Sequence, residues 1–193
     1  MSTPYGKFSG NPKTEWLSNA TSPDRDMKLL EDFSYTDPNG RIWPAPMGSV
    51  VNGASIPRPL WSLVGSPYTE DYRNASVVHD VACDDPAVDR AEADEMFYYA
   101  CLAGGCNKGQ ARALYLGVRV GAHMLRGTKG PRSRRGRGPS MRPAPQTAQE
   151  KAFLSEVTRL SKSLHASMPF HKLKLAVDQA LDKNDRKASK KRR

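Results

Sequence analysis

The sequence is short of cysteine, of long apolar runs and of aromatic residues, and each shortage excludes something. Three cysteines among 193 residues, Cys83, Cys101 and Cys106, are too few and odd in number for a disulfide framework. No stretch approaches the ~20 consecutive apolar residues that a membrane span requires, so no integral membrane span is expected. The first residues, Met1-Ser2-Thr3-Pro4-Tyr5-Gly6, lack the basic-then-apolar layout of a secretory leader. The expectation is a soluble, cytosol-made protein, in a reducing compartment or in a particle assembled in one. Aromatics make up 8% of the chain and are rare in its basic part, which argues against stacking on nucleic-acid bases.

What is plentiful is positive charge, and it is unevenly placed. Residues 1–130 carry 13 Lys and Arg against 15 Asp and Glu, whereas residues 131–193 carry 17 against 5. The net charge of +10 therefore comes entirely from the last third. That third begins in an Arg/Gly/Pro-rich stretch, 127–148, which cannot bury enough apolar area to offset its ordering entropy and reads as a flexible linker. Residues 149–182 carry two apolar stripes at helical spacing, Phe153, Val157, Leu160 and Leu164, then Phe170, Leu173, Val177 and Leu181. They predict an amphipathic hairpin packed on the core, on a neighbouring subunit or on itself, in preference to a membrane surface. Residues 183–193 read as a solvated basic tail.

The first two thirds predict an α+β fold, a short β-rich part packed on three helices. Residues 1–30 are expected as an extended arm and 31–126 as the domain. Asp37-Pro38-Asn39-Gly40 separates two short alternating runs, Phe33 and Tyr35 before it and Ile42 and Trp43 after it, which predicts a hairpin. Pro44 and Pro46 confine its second strand to an edge. Val50 and Val51 predict one more strand. Helical periodicity begins near Tyr68, with Thr69 or Asp71 available to cap. Asp89-Arg90-Ala91-Glu92 has the offset of a capping box for a second helix, ending at Gly104-Gly105. A third helix spans about Lys108 to Arg126.

Polar residues on inward faces are the functional clue. His79 lies on the apolar face of the first helix with Ala75 and Cys83, and Asp94 shares a face with Phe97 and Cys101 on the second. Antiparallel packing would pair them, leaving one imidazole nitrogen free to take a proton from water. A purely structural hydrogen bond is the alternative. Asp80, about 100° around the helix, would point to a rim and could ligate a hard cation such as Ca²⁺, with carbonyls near Gly53 and Gly65 as further donors. Asp84, Asp85 and Asp89 suit loop and cap roles. The cysteines read as small buried apolar groups, since no CxxC pair supports zinc. Ser55 could serve as a nucleophile only with His79 in reach; a turn role is favoured.

The string Asn52-Gly53-Ala54-Ser55-Ile56-Pro57-Arg58, followed by Trp61, Gly65, Pro67, Ala75, His79-Asp80, Ala93-Asp94 and Phe97, resembles the DUF1353 family over roughly residues 31–122. Those are small proteins of uncharacterised function found largely in tailed bacteriophages. The resemblance marks Asn52, Gly53, Ser55, Pro57 and Trp61 as motif positions and implies a virion-associated protein with other virion proteins as partners. A narrower likeness joins His79-Asp80-Val81-Ala82-Cys83 to phospholipase A2 active-site helices. It implies His79 as base, Asp94 as its orienter and Asp80 as calcium ligand, although Cys83 stands where those helices carry tyrosine. Two functions are thus expected. One is a virion component whose basic residues, Arg132, Arg134, Arg135, Arg137, Lys190, Lys191, Arg192 and Arg193, touch DNA or an acidic partner, with a hydrolytic core acting as the phage enters a cell. The other is a dedicated phospholipase-like or cell-envelope hydrolase.

Overall fold

The Asp37-Pro38-Asn39-Gly40 turn closes through its own side chain. Asp37 Oδ1 accepts from the backbone N–H of Asn39 at 2.8 Å and of Arg41 at 3.0 Å, and Oδ2 accepts from Trp43 Nε1 at 3.1 Å. Gly40 has φ +85°, a conformation that costs glycine nothing. The turn joins the hairpin strands β4 (Phe33–Thr36) and β5 (Ile42–Ala45), with Phe33 opposite Ala45 and Tyr35 opposite Trp43. Those four side chains are buried while their neighbours face outward, as the period of two requires.

The computed structural model describes residues 4–17, 26–51, 71–125, 148–163 and 168–191. Its strands form two three-stranded antiparallel sheets. One has the order β1-β4-β5, with β1 at Lys7–Phe8; the other is β2-β3-β6, from Thr14–Trp16, Met27–Leu29 and Val50–Val51. The Pro44-bearing strand is at an edge.

The segment 1–30, expected as an arm, instead supplies β1, β2 and β3. Short runs of two or three residues carry too little periodicity to be seen in sequence. Here they are held by pairing: Phe8 stacks on Phe33 at 5.7 Å, and the Tyr35 hydroxyl donates to the Tyr5 carbonyl. At Gly6, with φ +96°, a Cβ would come within 2.3 Å of the Thr36 carbonyl oxygen, so this crossing requires glycine.

Five helices follow among the described residues: α1 (Arg73–Asp84), α2 (Arg90–Ala103), α3 (Lys108–Leu125), α4 (Ala148–Ser163) and α5 (Phe170–Lys191). The N-cap of α1 is Tyr72, with no side-chain cap bond, rather than Thr69 or Asp71. Tyr72 is fully buried at this start. The α2 cap is as the sequence predicts: Asp89 Oδ1 accepts from Ala91 N at 2.8 Å and Glu92 N at 3.3 Å. Asp89→Ala is expected to cost about 1 kcal/mol, read as a shift of the urea midpoint at unchanged m-value.

Helices α4 and α5 each pack on the domain itself, through α3. Val157, Leu160, Leu173, Val177 and Leu181 are buried, and both helices contact α3. Phe170 stacks on Tyr98 with centroids 3.7 Å apart, and Arg119 of α3 pairs with Asp178 of α5 at 2.7 Å. Residues up to Lys191, expected as a solvated tail, continue α5, so Lys190 and Lys191 fall in its last turn. Helix-forming Lys, Asp, Arg and Ala extend a helix that packing has already nucleated.

Candidate functional site

Helix α1 is enclosed on several sides, by β4, β5 and β6 and by α2. Consecutive residues from Ala75 to Asp80 are consequently buried, which places His79 entirely out of solvent. Asp94, on the inward stripe of α2 with Phe97 and Cys101, is equally inaccessible. Nε2 of His79 lies 2.9 Å from Asp94 Oδ1, and the Phe97 ring packs on the imidazole at 4.6 Å between centroids. A carboxylate only accepts, so Nε2 is assigned as the protonated nitrogen.

Two arginines complete the surroundings of Asp94. Arg90 Nε donates to Oδ1 at 3.1 Å from one turn earlier on α2, and Arg119 Nη1 is 3.7 Å from Oδ2. Arg119 is held in turn by Asp178, which links α5 to the pair. Cys83, one turn after His79, places Sγ 3.5 Å from the same Nε2. Since Cys83 and Asp94 address one ring nitrogen, they cannot form a relay in which thiol and carboxylate hold opposite nitrogens. The other nitrogen, Nδ1, is buried and has no hydrogen-bond partner among the described residues. Such an atom in a native interior calls for a functional or solvent explanation.

Burial by itself pushes the imidazole pKa down. The Cys83 sulfur and the Asp94 carboxylate outweigh it and raise the value to about 9. The folded pKa thus exceeds the unfolded value of about 6.5. The protonated ring contributes stability that is fully present below pH ~6.5 and is lost as pH rises through ~9. Between pH 6.5 and 10 the chain is expected to lose roughly 3 kcal/mol from this group, read by urea unfolding at the two pH values. His79→Gln should abolish that part of the slope; an unchanged slope would assign it to other groups.

Asp80, expected on a rim, is buried at 6% exposure, because α1 is covered on that side as well. Among the described residues, the donors that come together are His79, Cys83 and Asp94, with ligand atoms all within 4.8 Å. Calcium takes six to eight oxygens, roughly, and this nitrogen, sulfur and oxygen set does not suit it. Asp80 is the one oxygen donor expected for calcium that the structure describes. Asn52, Gly53, Ser55, Pro57, Trp61 and Gly65 lie outside the described residues, as do Arg132, Arg134, Arg135, Arg137, Arg192 and Arg193. Asp85 and Asp89 act as loop and cap acceptors, the former for Ala87 N at 2.9 Å. A cavity of about 220 Å³, lined by Asp37, Arg41, Trp43, Glu92 and Tyr99 among others, takes in neither His79 nor Asp94.

Sequence reasoning placed Cys83 beside His79 but read it as an apolar group, and it missed Arg90, Arg119 and Asp178. Cys83 is four after His79, Arg90 is four before Asp94, and Arg119 is four after the inward Tyr115, so helical spacing signals all three. Asp178 carries no such signal, because its partner is on another helix.

Residues 27–118 match the DUF1353 family, described as a protein of unknown function. The chain is 38% identical over 114 residues to y4jT, an uncharacterised protein of Sinorhizobium fredii, covering 59% of this chain and 33% of that one. It is 40% identical over 96 residues to a second uncharacterised protein of that organism, y4iH, covering 49% and 40%. The chain thus spans between a third and two fifths of the length of these curated relatives. No solved structure matches it. His79, Cys83, Arg90 and Asp94 fall inside the family match, whereas Arg119 and Asp178 lie beyond it.

Proposed function

We propose that this chain, whose residues 27–118 are a DUF1353 segment, has a hydrolytic core with His79 as general base and Asp94 as the residue that orients it. One observation carries this reading: the imidazole is fixed by a carboxylate through Nε2, while buried Nδ1 has no hydrogen-bond partner among the described residues. Asp94 holds the tautomer whose lone pair is on Nδ1 once the ring is neutral, so a water admitted there would lose its proton to that atom. Asp94 then stabilises the imidazolium that results. Cys83 does not act as nucleophile in this scheme, because it faces Nε2. Asp80, although buried, would be one carboxylate oxygen donor to a calcium ion.

The substrate class follows from the notion of a phage protein acting on the cell it enters, namely phospholipid or peptidoglycan. Turnover of each by the purified chain, with and without calcium, beside His79→Gln, is the test. Equal turnover by the variant removes His79 from the chemistry.

The charge partition supports a second role for the C-terminal third. Val157 and Leu160 of α4 and Leu173, Val177 and Leu181 of α5 are buried, and both helices contact α3, which leaves the positive charge of this region to offer a partner. In this reading the basic residues neutralise DNA phosphates or an acidic virion protein, without sequence readout. Cutting the chain at residue 130 would expose buried apolar side chains, so substitution is the better probe. Replacing Arg132, Arg134, Arg135 and Arg137 together by Ser is expected to lower the log K against log salt slope for duplex DNA by roughly 2–4. An unchanged slope would exclude these four arginines as phosphate contacts.

A further inference from the structure

We propose that His79, Cys83 and Asp94 form a binding site for a zinc-class divalent cation, held by Nε2, Sγ and Oδ1. Borderline-soft cations select mixed imidazole, thiolate and carboxylate sets, and three protein donors leave a fourth position for water. Tetrahedral zinc with ordinary bond lengths sets its donors roughly 3.4–3.6 Å apart. Sγ and Nε2 are already 3.5 Å apart. Nε2 and Oδ1, at 2.9 Å, need to open by about 0.5 Å, and the three donors, which now spread over up to 4.8 Å, need to draw in around the ion. Cys83 is the half-buried member of the set and gives solvent its approach.

The nearby Arg90 and Arg119 are the obvious objection, since cations repel cations. Charge balance answers it. The ion takes the place of the proton on Nε2 and the proton on Sγ, while the ring keeps a proton on Nδ1. Two positive charges arrive and two leave, so the arginines meet an unchanged net charge.

The consequence for activity rests on the hydrolytic reading; the metal site itself does not. A cation on Nε2 leaves the ring proton on Nδ1, the atom proposed to accept a proton from water. Zinc therefore switches the base off.

Titration of the metal-free, full-length chain with Co²⁺ is expected to show one equivalent bound and a thiolate-to-cobalt absorption band, displaced by Zn²⁺. Cys83→Ser, with folding checked by circular dichroism, should remove the band. In the unaltered chain, Zn²⁺ should shield Cys83 from iodoacetamide at least about 10-fold, since a coordinated thiolate is a poor nucleophile toward it; peptide mass mapping reads this residue separately from Cys101 and Cys106. Absence of the band, or alkylation of Cys83 at equal rates with and without zinc, overturns the site. A band accompanied by zinc-insensitive hydrolysis overturns the switch and upholds the site. If the metal-free chain hydrolyses nothing, the base reading fails, and the cobalt band still decides the site.

Discussion

Asp94→Ala is expected to destabilise the protein by about 3–5 kcal/mol, the range for breaking a buried charge pair by removing one member. Asp94 is fully buried and is the shared acceptor or counter-charge of His79, Arg90 and Arg119. Its loss leaves a buried imidazolium without a carboxylate. Arg90, about a third exposed, can turn to water, and Arg119 keeps Asp178, so the cost concentrates on His79. Against a total stability of about 5–15 kcal/mol for a natural domain, this is a large fraction. Asp94→Asn should cost less, because the amide oxygen still accepts from Nε2. Urea unfolding at pH 6.5 checks both. A loss below about 1 kcal/mol for Asp94→Ala would show that the pair contributes little to the fold.

On the proposed hydrolytic reading, His79→Gln is expected to lower hydrolysis by about 10²–10⁴-fold, the usual contribution of a positioned general base. Glutamine retains an N–H that can reach Asp94, so the loss measures the missing base rather than a collapsed core. The pH profile adds a second readout. A base must be neutral, and Cys83 and Asp94 hold this ring protonated up to about pH 9. The rate of the unaltered protein should therefore climb roughly tenfold per pH unit and level off near 9. A profile that levels near 6.5 would mean that the imidazole feels neither neighbour during turnover.

Both expectations rest on elements that differ in how far the sequence discloses them. The hairpin was readable because Asp37-Pro38-Asn39-Gly40 satisfies a turn's backbone from within its own four residues. The α2 cap was readable for the same reason, the four residues from Asp89 to Glu92 being enough to form it. The inward positions of His79 and Asp94 were readable because an apolar face recurs every three to four residues and each stands on one. Strands β1 to β3 were not. A two-residue strand has no period, and Lys7–Phe8 is a strand only because Tyr35 and Thr36 lie alongside. The rim position expected for Asp80 failed likewise: helical spacing gives an angle about an axis but not what covers that angle.

The sequence by itself determined the local order of this protein and the division of its charge. The α+β class, the hairpin, the three central helices with their polar inward residues, and a positive last third all follow from interactions between near neighbours along the chain. Only the tertiary structure decided that Cys83 and Asp94 meet at one nitrogen of His79, that Nδ1 is left over, and that Arg119 joins Asp94 to Asp178 of α5. Those contacts depend on how closely separate elements approach, to within a fraction of an ångström. That distance is set by packing around the whole core and is written in no single stretch of residues.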